Sequence, residues 1–337
     1  MKSYRAHMGK GLSGLYKTEQ DVPVPGPGEA LIRVKACSLN FREMMIIFQG
    51  RYPLPVRQDV IPVSDGAGEV VAVGEGATRV KPGDRVMASI FPNWLEGPFN
   101  MDQAAQLGGS LDGMMAEYVV LREEALVTVP SHLSDEEAAA LPCAGVTAWH
   151  ALQCGVPIQE GETILTLGSG SVSLFALQFA KRLGVRVIAT TSSPEKSERL
   201  KALGADEVIN YKARPEWHMA VREITGGTGV DRVIEVGGAG TLTQSVMSTA
   251  LNGQISLIGG LANHVDKVDY NALVSNVYSL HSIAVGNRSH FSNMVRFMES
   301  HQLKPVIDRV FSFDEFDQAL VYYKDSNPFG KVIIRVS

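Results

Sequence analysis

A glycine-rich segment, GSGSVS, carries the sharpest chemical signal in the sequence, because it follows the apolar run TILTL and opens an amphipathic run. Gly168 would allow a tight turn, and Gly170 would let the backbone approach a pyrophosphate. Ser171 and Val172 would then offer N–H donors at a helix N-terminus, where the dipole favours an anion. Ser173 replaces the third glycine of the usual pattern, so an ordinary glycine-rich turn is the alternative. The segment predicts binding of a dinucleotide.

The end of the next strand indicates which nicotinamide cofactor is bound. An Asp or Glu about 20 residues after the glycines would hold the ribose 2′-OH of NAD, but the chain reads ATTSSPEKSER there. Ser192 and Lys196 suit a 2′-phosphate instead, Tyr211 adds a phenolic donor, and Gly259 is a further cofactor-binding candidate. NADP(H) is therefore predicted. The alternative is that Ser193 only caps the next helix and that Lys196 is a solvated side chain.

One carboxylate, Asp65, interrupts the run VSDGAGEVVAVG, and it could bind a metal, move a proton or cap a turn. Cys37, Cys143 and Cys154 lie far apart with no CxxC spacing, which argues against a disulfide framework and a sulfur-ligated zinc site. The histidines form neither an i, i+4 pair nor an HExxH motif, and no G-x-S-x-G elbow supports a serine hydrolase. These patterns predict a reduced, cytoplasmic protein.

The elements that must position these residues are of two kinds. In the first third, EALIRVKACSL alternates apolar and polar residues, and Gly and Pro turns separate the runs GEVVAVG and VKPGDRVMA, which predicts a partly open β-barrel. From about residue 131, after which Ser134 is expected to cap a helix, nearly continuous apolar strands alternate with amphipathic helices. A parallel sheet covered on both faces requires such strands. This part predicts a doubly wound α/β domain.

From about residue 268 the sequence pattern again resembles that of the first third, and the chain ends on the predicted strand GKVIIRV. The nucleotide-binding domain is therefore predicted to be inserted into a discontinuous catalytic domain. The predicted ranges are 1–126 with 268–337 for the catalytic domain and 127–267 for the dinucleotide-binding domain.

The composition limits the class of partner. Of the 337 residues, 45% are hydrophobic and 20% are charged, which is typical of a globular enzyme. The formal net charge of -5 and the lack of a Lys/Arg cluster argue against nucleic acid or an anionic membrane as the main partner. No apolar run is long enough to span a membrane, and MKSYRAHMGK gives no export signal. A small molecule is the expected partner.

Ordered blocks along essentially the whole chain resemble the medium-chain dehydrogenase/reductase superfamily, and within it the zinc-independent, quinone-oxidoreductase-like branch that is often labelled alcohol dehydrogenase-like. The blocks read ACSLNFREMMIIFQGRYP, GEVVAVGEGATRVKPGDRV, LDGMMAEYVVL, ALPCAGVTAWHAL, GSGSVSLFALQFAKRLGVRVIAT, KALGADEVINY and NPFGKVIIRV. The resemblance implies a Rossmann cofactor domain inserted into a GroES-like, partly open β-barrel catalytic domain. It also implies a homodimer formed by edge strands of the cofactor domains, to which SLHSIAVGN could contribute.

The resemblance also provides a test for zinc. Zinc members carry a Cys in the loop that here reads SLNF, a His-Glu pair where this chain has SDGAG, and a third ligand before the cofactor domain. Matched by motif, Asn40 stands at the Cys and Asp65 at the His. Gly66 stands at the Glu, and Cys143 falls near the third ligand. Because Zn²⁺ prefers Cys thiolate and neutral His, we expect no metal. Cys143 is then a small buried residue or, as the alternative, a reactive thiol.

Without a metal, the substrate oxygen has to be polarised by hydrogen-bond donors. Asn40 is the first catalytic candidate, since the family counterparts of its loop face the nicotinamide. Thr147 matches a position beside the nicotinamide, and its alternative is a helix residue that bonds its own backbone. Asp65 is a third candidate, which would orient Asn40 or a substrate proton. Weaker donor candidates are Arg42, Tyr52 and Arg288, and Arg288 is also counted among the cofactor-binding candidates.

The resulting prediction is a zinc-independent, NADP(H)-dependent oxidoreductase that transfers a hydride to or from an apolar carbonyl-type substrate. Reduction of an enone or quinone is preferred. The alternatives are an NAD(P)-dependent alcohol dehydrogenase or carbonyl reductase, and a nucleotide-binding protein with little catalytic activity. The aromatic residues Phe91, Trp94 and Phe99 lie in a long Gly/Pro-rich loop, where they could line the substrate slot or pack as a local cover.

Overall fold

A computed structural model of the chain describes residues 1–260, 270–274 and 277–337. The chain divides into two compact units. The first unit comprises Met1–Val146 and Gly286–Ser337, and the second unit comprises Thr147–Val285.

The helices and strands have the following bounds. The strands are β1 (Lys2–His7), β2 (Leu15–Glu19), β3 (Glu29–Ser38), β4 (Asp59–Val60), β5 (Asp65–Val73), β6 (Arg85–Ala88), β7 (Tyr118–Arg122), β8 (Leu126–Thr128), β9 (Thr163–Thr166), β10 (Arg186–Thr191), β11 (Glu207–Asn210), β12 (Val230–Glu235), β13 (Thr249–Leu257), β14 (Ser279–Ser282), β15 (Ile307–Ser312) and β16 (Lys331–Arg335). The α-helices are α1 (Phe41–Glu43), α2 (Asp135–Ala139), α3 (Val146–Gln153), α4 (Ser171–Arg182), α5 (Pro194–Ala202), α6 (Trp217–Ile224), α7 (Ala239–Ser248), α8 (Tyr270–Val274), α9 (Arg288–Ser300) and α10 (Phe316–Ser326). π-helical turns at Met44–Phe48 and Leu141–Gly145 follow α1 and precede α3. Among the described residues, no helix combines the length and the apolar character that crossing a membrane requires.

The first unit is built around β3, in which seven of the ten residues are buried and the other three are half-buried. A seven-stranded sheet runs in the order β15-β16-β3-β5-β6-β8, and β7 also pairs with β3. Ser38, the last residue of β3, lies opposite both Asp65 of β5 and Ile333 of β16 in the antiparallel pairings. This register brings the end of β3 and the beginnings of β5 and β16 to one place, and the loop after β3 starts there.

The first border between the units differs from the predicted position between residues 126 and 127. Helix α2 begins after Ser134, whose Oγ accepts a hydrogen bond from the N–H of Glu137 at 3.1 Å, as an N-cap should. The helix packs on β3 and β5 and so belongs to the first unit, which ends at Val146. The predicted second border lies between residues 267 and 268, which are outside the described residues, whereas the second unit continues to Val285.

The second unit contains a six-stranded sheet in the order β11-β10-β9-β12-β13-β14, in which every neighbouring pair is parallel. The order reverses between β9 and β12, and in such sheets ligands bind at the carboxyl ends of the strands beside this reversal. The strands β9, β10 and β12 are almost wholly buried, which explains their continuous apolar sequence. The predicted doubly wound sheet is confirmed. Because β14 pairs with β13, the second unit continues to Val285.

Candidate functional site

Four charged side chains are buried together in the first unit, and they form a neutral set of two cations and two carboxylates. Arg42 and Glu43 are 6% and 2% exposed, and Lys331 and Asp65 are 1% and 0% exposed. Burying a charge without a partner is strongly unfavourable. The contacts that compensate each charge therefore define the chemistry of this cluster, which we call the buried ion cluster.

Lys331 opens β16, and its ammonium lies at the centre of the buried ion cluster. Nζ donates to the carbonyl oxygen of Leu39 at 2.8 Å and to Oδ1 of Asn40 at 2.7 Å. A third, longer contact of 3.4 Å joins it to Oδ2 of Asp65. An ammonium has three N–H donors, so these three acceptors account for all of them. Lys331 was not among the predicted site residues, and its only sequence signal is a cation inside the apolar run GKVIIRV.

Asn40 follows β3 and is held at both its backbone and its side chain. Its N–H donates to Oε2 of Glu43 at 2.7 Å, while its Oδ1 accepts from Lys331. Its Nδ2 has no hydrogen-bond partner within the described residues, although the residue is only 5% exposed. A buried amide N–H group without a partner is costly, so a ligand oxygen that reached this atom would be bound favourably.

Asp65 begins β5 and its carboxylate is fully engaged. Oδ1 accepts from the hydroxyl of Ser64 at 2.9 Å, and Oδ2 accepts from the backbone N–H of Cys143 at 3.2 Å as well as from Lys331. Two residues before it, Val63 has a φ of 70°, in the left-handed region that β-branched residues rarely adopt. The carboxylate therefore holds Lys331 and the segment at Cys143 in place, and its predicted role in orienting Asn40 or a substrate proton stays a prediction.

Arg42, a predicted weaker donor, is committed to the protein. Its Nη1 donates to the carbonyl oxygen of Leu107 at 2.9 Å and to Oε1 of Glu43 at 3.3 Å, and its Nη2 donates to Oε1 of Gln106 at 2.7 Å. The guanidinium also lies over the ring of Tyr52, 5.1 Å from the centroid. Burial raises the pKa of Glu43, and the charge of Arg42 opposes that rise. This pair anchors the loop after β3 to the segment at residues 106–107.

The two cysteines near the cluster have the properties of neutral thiols. Cys143 is half-buried and not fully buried as predicted, and the partial burial of its thiol together with the negative charge of Asp65 raises its pKa. Burial and the same charge raise the pKa of Cys37, whose Sγ donates to the carbonyl oxygen of Met114 at 3.0 Å. Since the thiolate is the nucleophile and the metal ligand, these surroundings disfavour the alternative of a reactive thiol at Cys143.

The residues at the positions of the family's zinc ligands come together, but they do not fit zinc. The ammonium of Lys331 lies between Asn40 and Asp65, so a metal cation there would face a second cation. A Cβ at Gly66 would lie 2.8 Å from Cβ of Met114, which leaves no room for the Glu of the zinc motif. In the part of the chain that the structure describes, no group of three or more His, Cys, Asp and Glu side chains could hold a metal ion.

The glycine-rich turn in the second unit has open space beside its backbone, at the start of α4. Gly168 has a φ of 72°, and its N–H donates to Oγ1 of Thr190 at 3.1 Å. A Cβ added at Gly168 or at Gly170 would meet no atom within 4 Å, so the space beside this backbone is open. Helix α4 starts directly after Gly170 with Ser171 and Val172, and no side chain caps it. A pyrophosphate would fit there, against the helix N-terminus.

The predicted 2′-phosphate residues lie at the carboxyl ends of β10 and β11, which are neighbours. Ser192 follows β10 directly and Tyr211 follows β11, and the N–H of Tyr211 donates to the carbonyl oxygen of Thr191 at 3.0 Å. The Oγ of Ser193 caps α5 by accepting from the N–H of Lys196 at 3.4 Å, as the alternative reading of Ser193 expects. Ser192 and Tyr211 thus lie at the ends of neighbouring strands, Lys196 lies in the first turn of α5, and β10 ends without an acidic residue.

Gly259 has a structural reason to be glycine. A Cβ there would lie 2.7 Å from the carbonyl oxygen of Val236, because the segments that follow β12 and β13 approach closely. Sequence reasoning missed the residue that orders this region, Glu235. Its buried Oε1 accepts from the N–H groups of Gly237 at 2.7 Å and Gly238 at 2.9 Å. A carboxylate at the end of an apolar strand was the available signal.

The last two predicted residues are Arg288 and Thr147. Arg288 belongs to the first unit and starts α9, where its Nη1 donates to the carbonyl oxygen of Glu124 at 3.2 Å. Its backbone N–H donates to the carbonyl oxygen of Trp94 at 3.0 Å. Thr147 is buried in α3 and is the first residue of the second unit. The predicted cofactor role of Arg288 and the predicted catalytic role of Thr147 stay predictions.

The aromatic residues of the long loop pack on one another. The ring centroids of Trp94 and Phe99 are 4.9 Å apart, those of Phe91 and Phe99 are 5.3 Å apart, and both pairs are edge-to-face. Phe91 and Trp94 are buried, and Nε1 of Trp94 donates to the carbonyl oxygen of Gly97 at 2.9 Å. These contacts favour the alternative in which the aromatic residues pack as a local cover, and not the one in which they line a substrate slot.

Two family models match the chain. An alcohol dehydrogenase GroES-like domain matches residues 26–131, and a zinc-binding dehydrogenase domain matches residues 171–300. A zinc-type alcohol dehydrogenase-like protein of Schizosaccharomyces pombe is 41% identical, over 97% of this chain and 96% of that protein. A chloroplastic quinone oxidoreductase of Triphysaria versicolor is 32% identical, over 97% of this chain and 95% of its own length. An acryloyl-coenzyme A reductase of Metallosphaera sedula is 30% identical, over 93% of each chain.

Solved structures of similar proteins superpose on the whole of this chain. A putative alcohol dehydrogenase from Sinorhizobium meliloti superposes with a TM-score of 0.91 at 37% identity, covering 99% of both chains. A mycobacterial protein complexed with NADPH superposes with a TM-score of 0.83 at 28% identity, covering all of both chains. The predicted fold class, a Rossmann cofactor domain with a GroES-like catalytic domain, is confirmed.

Proposed function

Because the chain belongs to the medium-chain dehydrogenase/reductase superfamily and is an oxidoreductase of that family, we propose that it reduces an apolar enone or quinone with NADPH and without zinc. The observation that carries the proposal is Nδ2 of Asn40, a buried amide donor without a partner in the described structure. It belongs to a cluster whose central cation is Lys331.

The chemistry of enone reduction matches this donor. A bound NADPH would supply the hydride and leave as NADP⁺. When the β-carbon of the enone accepts the hydride, negative charge develops on the carbonyl oxygen, and a fixed N–H donor stabilises that charge more than it stabilises the substrate. The Nδ2 group of Asn40 would donate to this oxygen, and the α-carbon would then take a proton from water. The products are the saturated ketone and NADP⁺.

The preference for NADPH rests on the edge of the sheet at β10 and β11. Ser192, Lys196 and Tyr211 offer hydroxyl and ammonium donors there, and the carboxylate that would select NAD is missing from the end of β10. A 2′-phosphate would gain charge-assisted hydrogen bonds from such donors. The similar mycobacterial protein whose structure contains NADPH supports the same choice.

Zinc independence rests on the donor set. Lys331 occupies the space between Asn40 and Asp65, and the surroundings of Cys143 favour the neutral thiol over the thiolate that zinc prefers. The similarity to a zinc-type alcohol dehydrogenase-like protein favours a second candidate function, an alcohol dehydrogenase or carbonyl reductase. A third candidate is a nucleotide-binding protein with little catalytic activity.

We further propose a cytoplasmic homodimer. In the described part of the second unit, β14 stands at the end of the sheet order, so one of its edges is open for pairing. Leu280 on this strand is 42% exposed. The net charge of -5 supports a small molecule rather than nucleic acid as the other partner.

A substrate panel tests the proposed function. The oxidation of NADPH is followed with cyclic and linear enones, quinones, aldehydes and, in reverse, alcohols. We expect turnover with enones or quinones and much weaker turnover with isolated carbonyls. Turnover confined to aldehydes and alcohols would favour the second candidate, and tight NADPH binding without any turnover would favour the third.

A further inference from the structure

We propose that Lys331 is a positioning residue, whose ammonium fixes the direction in which the amide of Asn40 points. The inference rests on the proposed function, because the amide of Asn40 is aimed at a substrate oxygen. It gives a role to Lys331, a buried residue that belongs neither to the glycine-rich turn nor to the zinc-ligand positions.

The first step concerns the two ends of the Asn40 amide. An amide has one accepting and one donating end of similar shape, and only its hydrogen-bond partners decide which way it points. Lys331 has donors and no acceptor. With Nζ at 2.7 Å, the oxygen of Asn40 has to face Lys331, because the opposite orientation would set two donors against each other. The amide nitrogen is therefore turned away from Lys331, and it is this atom that has no partner within the described residues.

The second step concerns what Lys331 cannot do. Its three N–H donors are taken by Leu39, Asn40 and Asp65, and its side chain is 1% exposed. No donor is left over for a substrate. Lys331 consequently acts through Asn40 and does not itself touch the reacting atoms.

The third step concerns the support of Lys331. Asp65 compensates its charge and is itself held by Ser64 and by the backbone N–H of Cys143. The strand that carries Lys331 also holds the loop, since the N–H of Leu39 donates to the carbonyl oxygen of Val332 at 3.0 Å. The Asn40 side chain is thus fixed by groups on β5 and β16, as preorganisation of a catalytic donor requires.

A double-mutant cycle on kcat tests the proposal. We expect Lys331→Met to lower kcat for the enone by about 10², as loss of an oriented oxyanion donor does, with an unchanged KM for NADPH. We expect Asn40→Leu to have a similar effect, and Lys331→Met to cause no further loss when Asn40→Leu is already present. Equal losses in both backgrounds would overturn the proposal, because Lys331 would then act independently of Asn40.

Two further variants test whether a low kcat results only from a loss of stability. Lys331→Met leaves Asp65 buried without its partner, which destabilises the fold, so Lys331→Met/Asp65→Asn removes both charges together. We expect this double variant to fold and to show the same low kcat, whereas wild-type kcat would overturn the proposal. The matched control is Arg335→Met on the same strand, which removes a mostly exposed cation that pairs with Glu136. We expect its kcat to equal that of the wild type.

A readout without substrate separates this inference from the proposed function. In protein labelled with ¹⁵N-asparagine, the side-chain NH₂ signals of Asn40 are assigned by their loss in Asn40→Leu. We expect a single pair in the wild type and in Arg335→Met, and a shifted or split pair in both variants that lack Lys331. An unchanged pair would overturn the positioning role. If the wild type reduces no enone or quinone, the proposed function fails, and this spectrum still decides whether Lys331 orients Asn40.

Discussion

At the residue scale, the contact between Lys331 and Asn40 determines which end of the Asn40 amide is left to donate a hydrogen bond. In the family's zinc enzymes a metal sits among the positions that here are Asn40, Asp65 and Cys143. In this chain a lysine ammonium, 2.7 Å from Oδ1 of Asn40, supplies the positive charge instead. An ammonium with all donors engaged is no Lewis acid, so under the proposed function the amide of Asn40 would polarise the substrate.

Cys143 gives a prediction at this scale. Because burial and Asp65 raise its pKa, little thiolate forms at pH 8. We expect iodoacetamide to modify Cys143 more slowly than Cys154, which is also partly exposed, as measured by peptide mass spectrometry. Cys143→Ser should leave kcat unchanged. Rapid labelling of Cys143 together with loss of turnover in Cys143→Ser would instead make it a catalytic thiol.

Lys196 gives a second prediction. A cation near the 2′-phosphate contributes a charge-assisted interaction that NADH cannot use. We expect Lys196→Ala to raise the Kd of NADPH about tenfold, which corresponds to about 1.4 kcal/mol, and to leave the Kd of NADH unchanged, as measured by fluorescence titration. The matched control is Lys201→Ala on the same helix, a mostly exposed residue that pairs with Glu198. Equal weakening of both cofactors would remove Lys196 from the 2′-phosphate site.

The sequence allowed some of these residues to be found and concealed others. Asn40, Asp65 and Cys143 were indicated by the resemblance, because each sits inside an ordered motif. Lys331 was not, since a cation in a closing strand is usually solvated, and its burial follows only from the pairing of β16 with the end of β3. Residues brought together by tertiary register leave no local pattern.

At the element scale, a substitution in the turn between β9 and α4 is expected to change cofactor binding without changing stability. Gly170 has no positive φ, and a Cβ there would enter open space. We expect Gly170→Ala to leave the apo Tm unchanged and to weaken NADPH binding by about tenfold or more, because the methyl group would occupy space intended for the pyrophosphate. Calorimetry of the apo protein and a cofactor titration measure the two effects. An unchanged Kd would show that the cofactor does not approach this backbone.

Helix α3 gives a pH-dependent prediction. Burial lowers the pKa of His150, whose Nδ1 donates to the carbonyl oxygen of Val285 at 2.9 Å. A histidine with a lowered pKa in the folded state contributes stability above its ordinary value of about 6.5, and this stability is lost as the pH falls below that value. We expect the wild-type Tm to decrease from pH 6.5 to 5, and to decrease less in His150→Asn. Parallel curves for the two proteins would exclude His150 as a source of the pH dependence.

The border between the units shows what sequence periodicity leaves open at this scale. The chain changes style near residue 131, which placed α2 with the alternating strands and helices. The structure places α2 on β3 and β5, in the first unit. The pattern of an amphipathic helix predicts that one face is buried, but it does not predict which sheet that face packs against. The alternation itself was a reliable guide, because buried parallel strands have to be apolar throughout.

At the scale of the whole molecule, the chain has the two parts of its family, a GroES-like domain and a Rossmann domain. The parallel sheet supplies a nucleotide site at the end of β9 that depends on backbone geometry. The first unit supplies a buried ion cluster that depends on four specific side chains. The fold was predictable from pattern and resemblance, whereas the contacts of Lys331 with Asn40 and Asp65 required the packed structure.

The most direct measurement is the turnover of metal-free protein. The purified chain is treated with a strong chelator, its metal content is determined by elemental analysis, and its rate of enone or quinone reduction with NADPH is compared with that of untreated protein. We predict that the rate is the same in both samples and that added Zn²⁺ does not increase it. One zinc per chain in the untreated protein, with activity lost on chelation and restored by Zn²⁺, would contradict a reductase in which Lys331 and Asn40 take the place of the metal.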